Sequence, residues 1–327
     1  MARPLPALLK HIGRGARLAK DLDAEEAEAL MRAVAAGEAD AYQVGGFLYA
    51  MRMKGESAAE LAGFVRALRG FVDAPPPEGV HVDVDLHADG REGRPSLSPA
   101  AACIAAACGA RVLLRGWFAN RFSRNDLGEV FARLGIGGGD LDAGVAVIDL
   151  ERAAPRVAAL LALRERLGVR SCVHSAVKLL DPAGCRRAMI GIFHGPYHAP
   201  VAGAAALLGA ERAAVVQAAG GLPELSPDKP TRVSRVEGGV APAGPETLGP
   251  FDGAPLETAE SAGALAELIE AVVAGRGPPG ATRSAVVTAG LMLGTAGLVD
   301  DLPAGVSRAD AALAGGGAAR VLARLRV

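Results

Sequence analysis

Asp73-Ala74-Pro75-Pro76-Pro77-Glu78-Gly79-Val80-His81-Val82-Asp83-Val84-Asp85-Leu86 is the stretch on which the fold turns. Three successive prolines lack the amide protons a helix needs and hold the chain extended, so residues 73–79 read as a stiff linker. Beyond it, Val82-Asp83-Val84-Asp85-Leu86 alternates apolar and acidic residues with the period of a strand. The hydrophobic period changes across this linker. That divides the chain into a helical unit at 1–72 and a larger unit at 80–327.

Upstream, helix signals dominate. Asp23 followed by Glu26 forms a capping box ahead of Leu30, Met31 and Val34. A second helix runs from Tyr42 to Met53 and stops at Gly55. Ser57 with Glu60 then caps a third through Leu61, Phe64, Val65 and Leu68. Downstream, strands and helices alternate. Ser98-Pro99 caps a helix that runs to Cys108 and ends at Gly109. Arg111 to Leu114 is a strand, Asn125 to Leu134 a helix, Val145 to Ile148 a strand, and Pro155 to Leu167 a helix. Ala188 to Phe193 and Ala213 to Gln217 are further strands. This order predicts an α/β domain with a mainly parallel central sheet behind a small helical N-terminal domain. The last third reads as helix at Glu257 to Ala274, Ala281 to Leu298 and Ala318 to Leu325.

Half of the 327 residues are hydrophobic, ample for a buried core, and only 4% are aromatic, which argues against a base-stacking surface. The net charge of -1 does not announce a nucleic-acid partner, yet residues 91–187 hold 15 Lys/Arg against 9 Asp/Glu. That basic middle suits a phosphate-bearing ligand, and it equally suits a solvated surface. Cys103, Cys108, Cys172 and Cys185 lack metal or disulfide spacing and read as small core residues. No apolar run is long enough to span a membrane, and Met1-Ala2-Arg3-Pro4 opens no signal peptide, so a cytoplasmic protein is expected.

Gly37-Glu38, Gln43-Val44-Gly45-Gly46-Phe47-Leu48 and Arg52-Met53-Lys54-Gly55-Glu56 together resemble the opening domain of the anthranilate phosphoribosyltransferase family, the glycosyltransferase family 3 fold. The related pyrimidine nucleoside phosphorylases begin in a similar way. The order of elements follows the family to the C-terminus. The resemblance therefore implies a nucleoside phosphorylase / phosphoribosyltransferase class IV architecture across nearly the whole chain.

The same resemblance locates candidate site residues and departures from the family's pattern. The family's Gly-Thr-Gly-Gly-Asp phosphate loop corresponds to Asp85-Leu86-His87-Ala88-Asp89, where only Asp89 is kept. Glycines there let backbone N–H groups approach a pyrophosphate. The Asn-x-Ser-Thr segment corresponds to Ser96-Leu97-Ser98-Pro99; Ser96 and Ser98 are candidate phosphate donors at a helix start, and Ser98 is also explained as an N-cap. The Lys-His-Gly-Asn element reads Leu114-Arg115-Gly116-Trp117, which keeps Gly116 and offers the cation Arg115. Arg164, in Arg164-Glu165-Arg166-Leu167-Gly168-Val169-Arg170, is the implied partner of an aromatic carboxylate, or an ordinary helix-end cation. The family's Asp-Glu magnesium pair corresponds to Pro223-Glu224, leaving Glu224 as the one candidate Mg2+ ligand should the chain be catalytic.

Val173-His174-Ser175-Ala176-Val177-Lys178 and Ile192-Phe193-His194-Gly195-Pro196-Tyr197-His198 resemble a paralogous branch of the family that lacks the usual motifs and is associated in part with nucleic-acid binding. Gly195-Pro196 breaks any helix between His194 and His198, so the pair is expected to shape a cleft mouth rather than hold metal. Three functions follow as expectations. The first is a phosphoribosyltransferase-like glycosyltransferase, without genuine anthranilate activity, that takes a phosphorylated small molecule. The second is a non-sequence-specific nucleic-acid-binding protein, for which Arg111, Arg115, Arg121, Arg124, Arg133, Arg186 and Arg187 would line the cleft or its rim. The third is a non-catalytic homodimer paired through the N-terminal helices, where Val44, Phe47, Leu48 and Met51 form an apolar stripe that serves either a partner copy or the domain's own core.

Overall fold

The computed structural model describes residues 3–15, 18–73, 77–87, 95–118, 126–218, 220–251 and 254–326. Helices α1 (Leu5–Ile12), α2 (Ala24–Ala36), α3 (Ala41–Lys54) and α4 (Ala58–Arg69) open the chain. Three of them begin with reciprocal capping boxes. Asp23 accepts from the Glu26 amide at 2.8 Å while the Glu26 carboxylate accepts from the Asp23 amide, and the pairs Asp40/Gln43 and Ser57/Glu60 repeat the device. Each box satisfies amides that a helix start otherwise leaves without partners. Glu60 also accepts from the Leu22 amide and the Lys54 ammonium from a fully buried position, so one carboxylate ties α4 to α3 and to the entry of α2. Gly63 permits the close approach of α4 to α2: a Cβ there would lie 2.3 Å from the Ala24 carbonyl oxygen.

The second unit contains, in order, β1 (Val82–Asp85), α5 (Ser98–Ala107), β2 (Val112–Gly116), α6 (Leu127–Arg133), β3 (Gly139–Asp140), β4 (Val145–Asp149), α7 (Leu150–Ala153), α8 (Pro155–Leu167), α9 (Cys172–Ala176), β5 (Arg187–Ile192), α10 (His198–Leu207), β6 (Arg212–Gln217), β7 (Thr231–Glu237) and β8 (Glu246–Leu248), then α11 (Ala262–Val273), α12 (Pro279–Thr295), α13 (Leu302–Ala314) and α14 (Gly317–Leu325). The strands form one sheet in the order β3-β4-β2-β1-β5-β6-β7-β8. Its centre, β4-β2-β1-β5-β6, is parallel, and β3, β7 and β8 run antiparallel at the edges. The mainly parallel α/β sheet behind a helical domain is therefore present as the sequence implied.

Each face of the sheet carries its own core. One face packs on α5, α6 and α11 to α14, and every residue from Ser98 to Ala106 is buried, since alanine lets a helix sit between layers without a polar face. The other face packs on α8, α9 and α10 and continues without interruption into α1 to α4. Phe47, Leu48 and Met51 lie inside that second core, with Phe47 edge-on to Phe64 at 5.6 Å between ring centroids. The stripe read as serving either a partner or the domain itself thus serves the domain.

Several local expectations need correction. The last third holds more than the three helices expected of it: β7 and β8 precede them, and α13 lies between the second and the last. The first of those helices starts at Ala262 rather than Glu257, where the Ser261 hydroxyl accepts from the Ala264 amide at 3.1 Å. Leu97 rather than Ser98 is the N-cap residue of α5, because the Ser98 hydroxyl is turned to another partner. Among the described residues no helix is long and apolar enough to cross a membrane.

Candidate functional site

In a parallel sheet the loops at the carboxyl ends of the strands collect ligands where the strand order reverses direction. Here the chain steps from β1 outward to β2 and β4, then returns to β5 on the other side of β1. At that edge a small cleft, about 80 Å³ in volume, opens between α3 and the sheet. The α9 side of its wall consists of Arg170, Ser171, His174, Ser175 and Lys178. The other side consists of Ile192, Phe193, His194, Tyr197 and Val201, with Gly220 and Gly221 in the floor and Arg52 reaching in from α3. Ser171, His174, Ser175 and Lys178 recur at i, i+3, i+4 and i+7, so one helical face presents all four polar groups to the cleft. Among the described residues the lining carries three basic side chains and no carboxylate.

Beneath the floor lies a buried charge network that reaches the cleft only through Lys178. Arg115 donates from Nε to both Asp83 oxygens at 2.7 and 2.9 Å, and from its terminal nitrogens to the carbonyls of Val177 and Lys178 at 2.6 and 2.8 Å. Asp85 lies 3.5 Å from Arg115 and accepts from the Lys178 ammonium at 2.8 Å. Lys178 also donates to the main-chain oxygens of His87 and Gly221. Burial pushes the Asp83 carboxyl up to about 7 against the pull of Arg115. The His87 ring is fully buried, stacked on Trp117 and 5.7 Å from the His174 ring, and among the described residues neither of its nitrogens has a hydrogen-bond partner. Burial, with Lys178 adding to it, drives the His87 pKa well below its ordinary value, so the ring is neutral.

This geometry redistributes the candidates. Arg115 faces neither cleft nor solvent: its guanidinium is fully buried among Asp83, Asp85 and the carbonyls of Val177 and Lys178, so it contacts neither phosphate nor nucleic acid directly. Gly116 ends β2 with its α-carbon packed against the turn after β1, where a Cβ would lie 2.9 Å from Phe118 and 3.3 Å from the His87 amide nitrogen. Ser96, Ser98 and Glu224 do come together. The Glu224 carboxylate accepts from the Ser96 hydroxyl at 3.1 Å, the Ser98 amide at 3.0 Å and the Ser98 hydroxyl at 2.7 Å. The two serines therefore hold the chain's own carboxylate at the start of α5. Glu224 borders a second hollow, beside Gln217, Lys229 and Thr231.

Arg164 occupies the last turn of α8 and does not line the cleft; Arg170, six residues on, does. Arg111, Arg186 and Arg187 sit at the amino ends of β2 and β5, the edge opposite the cleft. There they are engaged: Arg111 with Asp142 at 3.4 Å, Arg186 with the Gly209 carbonyl at 2.7 Å, and Arg187 with Glu211 at 3.1 Å and the Ala296 carbonyl at 2.9 Å. Arg133 pairs with Glu129 along α6 at 2.7 Å. These arginines form no continuous lining for one cleft. His194 is exposed at the cleft mouth, and His198 bonds the Ser234 hydroxyl at 3.0 Å. Asp89, Arg121 and Arg124 lie outside the described residues. Arg170, His174 and Lys178 had no assigned role in the sequence, although the polar i, i+3, i+4, i+7 pattern from Ser171 was a signal for His174 and Lys178.

The donor set does not fit a two-carboxylate magnesium site. Glu224 is one carboxylate whose Oε1 already accepts three hydrogen bonds, and Pro223 beside it has no side-chain oxygen. Among the described residues no three His, Cys, Asp or Glu side chains cluster as metal ligands.

Residues 6–72 match the helical bundle domain of the glycosyl transferase family, and residues 142–319 match its a/b domain. Anthranilate phosphoribosyltransferase of Rhodospirillum rubrum is 32% identical, over 94% of this chain and 91% of its own length. The crystal structure of the Thermus thermophilus enzyme of that name superposes with a TM-score of 0.85 at 27% identity, over 98% of this chain and 99% of that one. The Saccharomyces cerevisiae enzyme, solved with PRPP and Mg, shares the fold with a TM-score of 0.80 at 17% identity, over 98% of this chain and 96% of its own. With both domains matched and the relatives covered almost end to end, the chain belongs to this glycosyl transferase family, alongside the anthranilate phosphoribosyltransferases.

Proposed function

We propose that the chain is a phosphoribosyltransferase-like protein whose cleft binds a phosphate-bearing anion and which does not transfer phosphoribose to anthranilate. The observation that carries the reading is the cleft lining itself: Arg52, Arg170 and Lys178 converge on it beside Ser171, His174 and Ser175, and no carboxylate is among the described residues that line it. Guanidinium and ammonium groups bind phosphate by charge-assisted hydrogen bonds, and a concave low-dielectric wall strengthens them. The loss of anthranilate transfer is supported by the replaced glycines after β1, by Pro223 in the place of a ligand, and by the engagement of Ser96 and Ser98 with Glu224. The purified chain, supplied with phosphoribosyl pyrophosphate, magnesium and anthranilate, is expected to leave anthranilate fluorescence unchanged and to fail to rescue a tryptophan auxotroph lacking the enzyme. Rescue would overturn this half of the proposal.

A second reading places single-stranded nucleic acid in the same cleft. It is favoured by Phe193, 52% exposed at the mouth and edge-on to His194 at 4.8 Å, since an aromatic face beside cations is what a stacked base and its phosphate use. Gel shifts with single-stranded DNA at two salt concentrations test it; binding that is salt-sensitive and lost in Phe193→Ala supports it, and no shift at low salt removes it.

The homodimer expected through the N-terminal helices remains part of the proposal, on a different face from the one first expected. Tyr42, Gly46, Tyr49 and Met53 lie on the outward side of α3, and Tyr42 and Met53 are 92% and 76% exposed. Apolar side chains on one helix face suit a second copy.

A further inference from the structure

We infer that the cleft holds its anion without a metal ion, with the Lys178 ammonium as the built-in cation of the site and Arg170 as the second anchor. The inference rests on the cleft reading above. Three oxygens surround the ammonium: Asp85 Oδ2 at 2.8 Å, the main-chain oxygen of His87, and the main-chain oxygen of Gly221 at 3.4 Å. One carboxylate and two carbonyls are hard oxygen donors of the kind that otherwise surround a small divalent cation. A lysine side chain from the α9 segment fills that cage and lies in the cleft lining.

The cage is preassembled. Asp85 is fixed by the Arg115 guanidinium and by the His87 amide, which donates to it at 3.0 Å. The Gly221 turn lies against β5 because Gly191 has no side chain: a Cβ there would lie 2.2 Å from the Gly221 oxygen. The Gly221 contact is the longest of the three, so it is the one a phosphate oxygen arriving from the cleft replaces. Fixing the charge in advance lowers the ordering cost of binding. The one acidic residue kept from the family's metal pair, Glu224, is meanwhile held by two serines at the start of α5.

The test is calorimetric titration of the full chain with inorganic pyrophosphate, in EDTA and in magnesium. The expected result is binding in EDTA with an affinity within about twofold of that in magnesium, weakened roughly tenfold or more in Lys178→Met and in Arg170→Gln. Arg111→Gln, at the opposite edge of the sheet, is expected to bind as wild type does. Should Lys178→Met fail to fold, Arg170→Gln and the EDTA comparison decide alone. Binding that needs magnesium but is weakened by the substitutions overturns the inference and leaves the cleft reading standing; binding indifferent to both substitutions places the anion elsewhere and overturns both. Absence of binding in both buffers overturns the cleft reading and the inference with it.

Discussion

Glu224 and Ser98 are joined twice, the carboxylate accepting the serine amide at 3.0 Å and its hydroxyl at 2.7 Å. The residues are 126 positions apart, so this contact fixes the turn after β6 to the first residue of α5. A carboxylate at a helix start gains from the exposed amides and from the helix dipole together. A double-mutant cycle with Ser98→Ala and Glu224→Gln is expected to give a coupling of about 1.5–3 kcal/mol in urea unfolding, the range of a buried hydrogen bond to a charge. Additive effects would mean the contact is incidental.

Arg115 is expected to be a folding residue. Arg115→Met would leave Asp83 and Asp85 fully buried without their guanidinium, and should cost about 3–5 kcal/mol. Asp83 brings a pH signature. Its folded carboxyl titrates at about 7 against 3.8 in a free chain, so the folded state binds the extra proton in between. Its contribution is complete below the lower value and is lost as pH rises through the upper one. The urea midpoint of the wild type should therefore fall relative to Asp83→Asn between about pH 4.5 and 7.5. A rise would contradict the buried-carboxyl account.

What the sequence made legible follows from local chemistry. The caps at Asp23 and Ser57 announce α2 and α4 because the paired side chain stands three residues away. The central strands announce themselves by apolar runs such as Ala188 to Ile192. β7 did not, because Thr231, Arg232, Ser234, Arg235 and Glu237 make a polar antiparallel strand that resembles a loop in composition. The start of α11 was missed since Glu257 and Glu260 suit a helix, yet the hydroxyl of Ser261 caps it. Arg115 was misread for a physical reason: sequence gives charge but not depth. Its partners, Asp83 and Asp85, stand on the neighbouring strand, and only the parallel register that sets Asp85 beside Arg115 brings them together.

His87 offers a stabilising substitution. Both ring nitrogens are buried without partners among the described residues, a desolvation cost with no return. His87→Phe keeps a ring against Trp117 and removes that cost. Because the folded pKa is held far below 6.5, the unfolded chain takes up a proton that the folded one refuses. The wild type therefore loses stability as pH falls below about 6.5. His87→Phe should be more stable by about 1–2 kcal/mol at pH 5.5, with a smaller gain at pH 8. An equal or reversed difference at the two pH values would show that the imidazole has a polar partner.

On α3 two neighbouring positions separate folding from assembly. Phe47 is wholly buried, and Phe47→Asp should unfold the helical domain at a cost of at least about 3–5 kcal/mol. Met53, 76% exposed, bears no such load. Met53→Glu is expected to keep the wild-type melting temperature and to halve the mass seen by light scattering. An unchanged mass in a protein that is dimeric to begin with would move the interface elsewhere.

Gly191 links fold to cleft most directly. It sits in β5, and the turn through Gly221 and Leu222 passes so near that an added Cβ would lie within 2.2–2.6 Å of three backbone atoms. Backbone cannot swing aside as a side-chain tip does, so Gly191→Ala must push the turn outward, at about 1–3 kcal/mol of overpacking. The turn carries the Gly221 oxygen that faces Lys178 and leads into Glu224. The variant should therefore weaken pyrophosphate binding more than its loss of stability explains, measured at a temperature where it remains folded. Gly63→Ala, which crowds α4 against the Ala24 oxygen away from the cleft, should lose stability to a similar degree and keep the affinity. If both glycine variants lose affinity alike, the effect belongs to general loosening, and the turn has no special hold on the site.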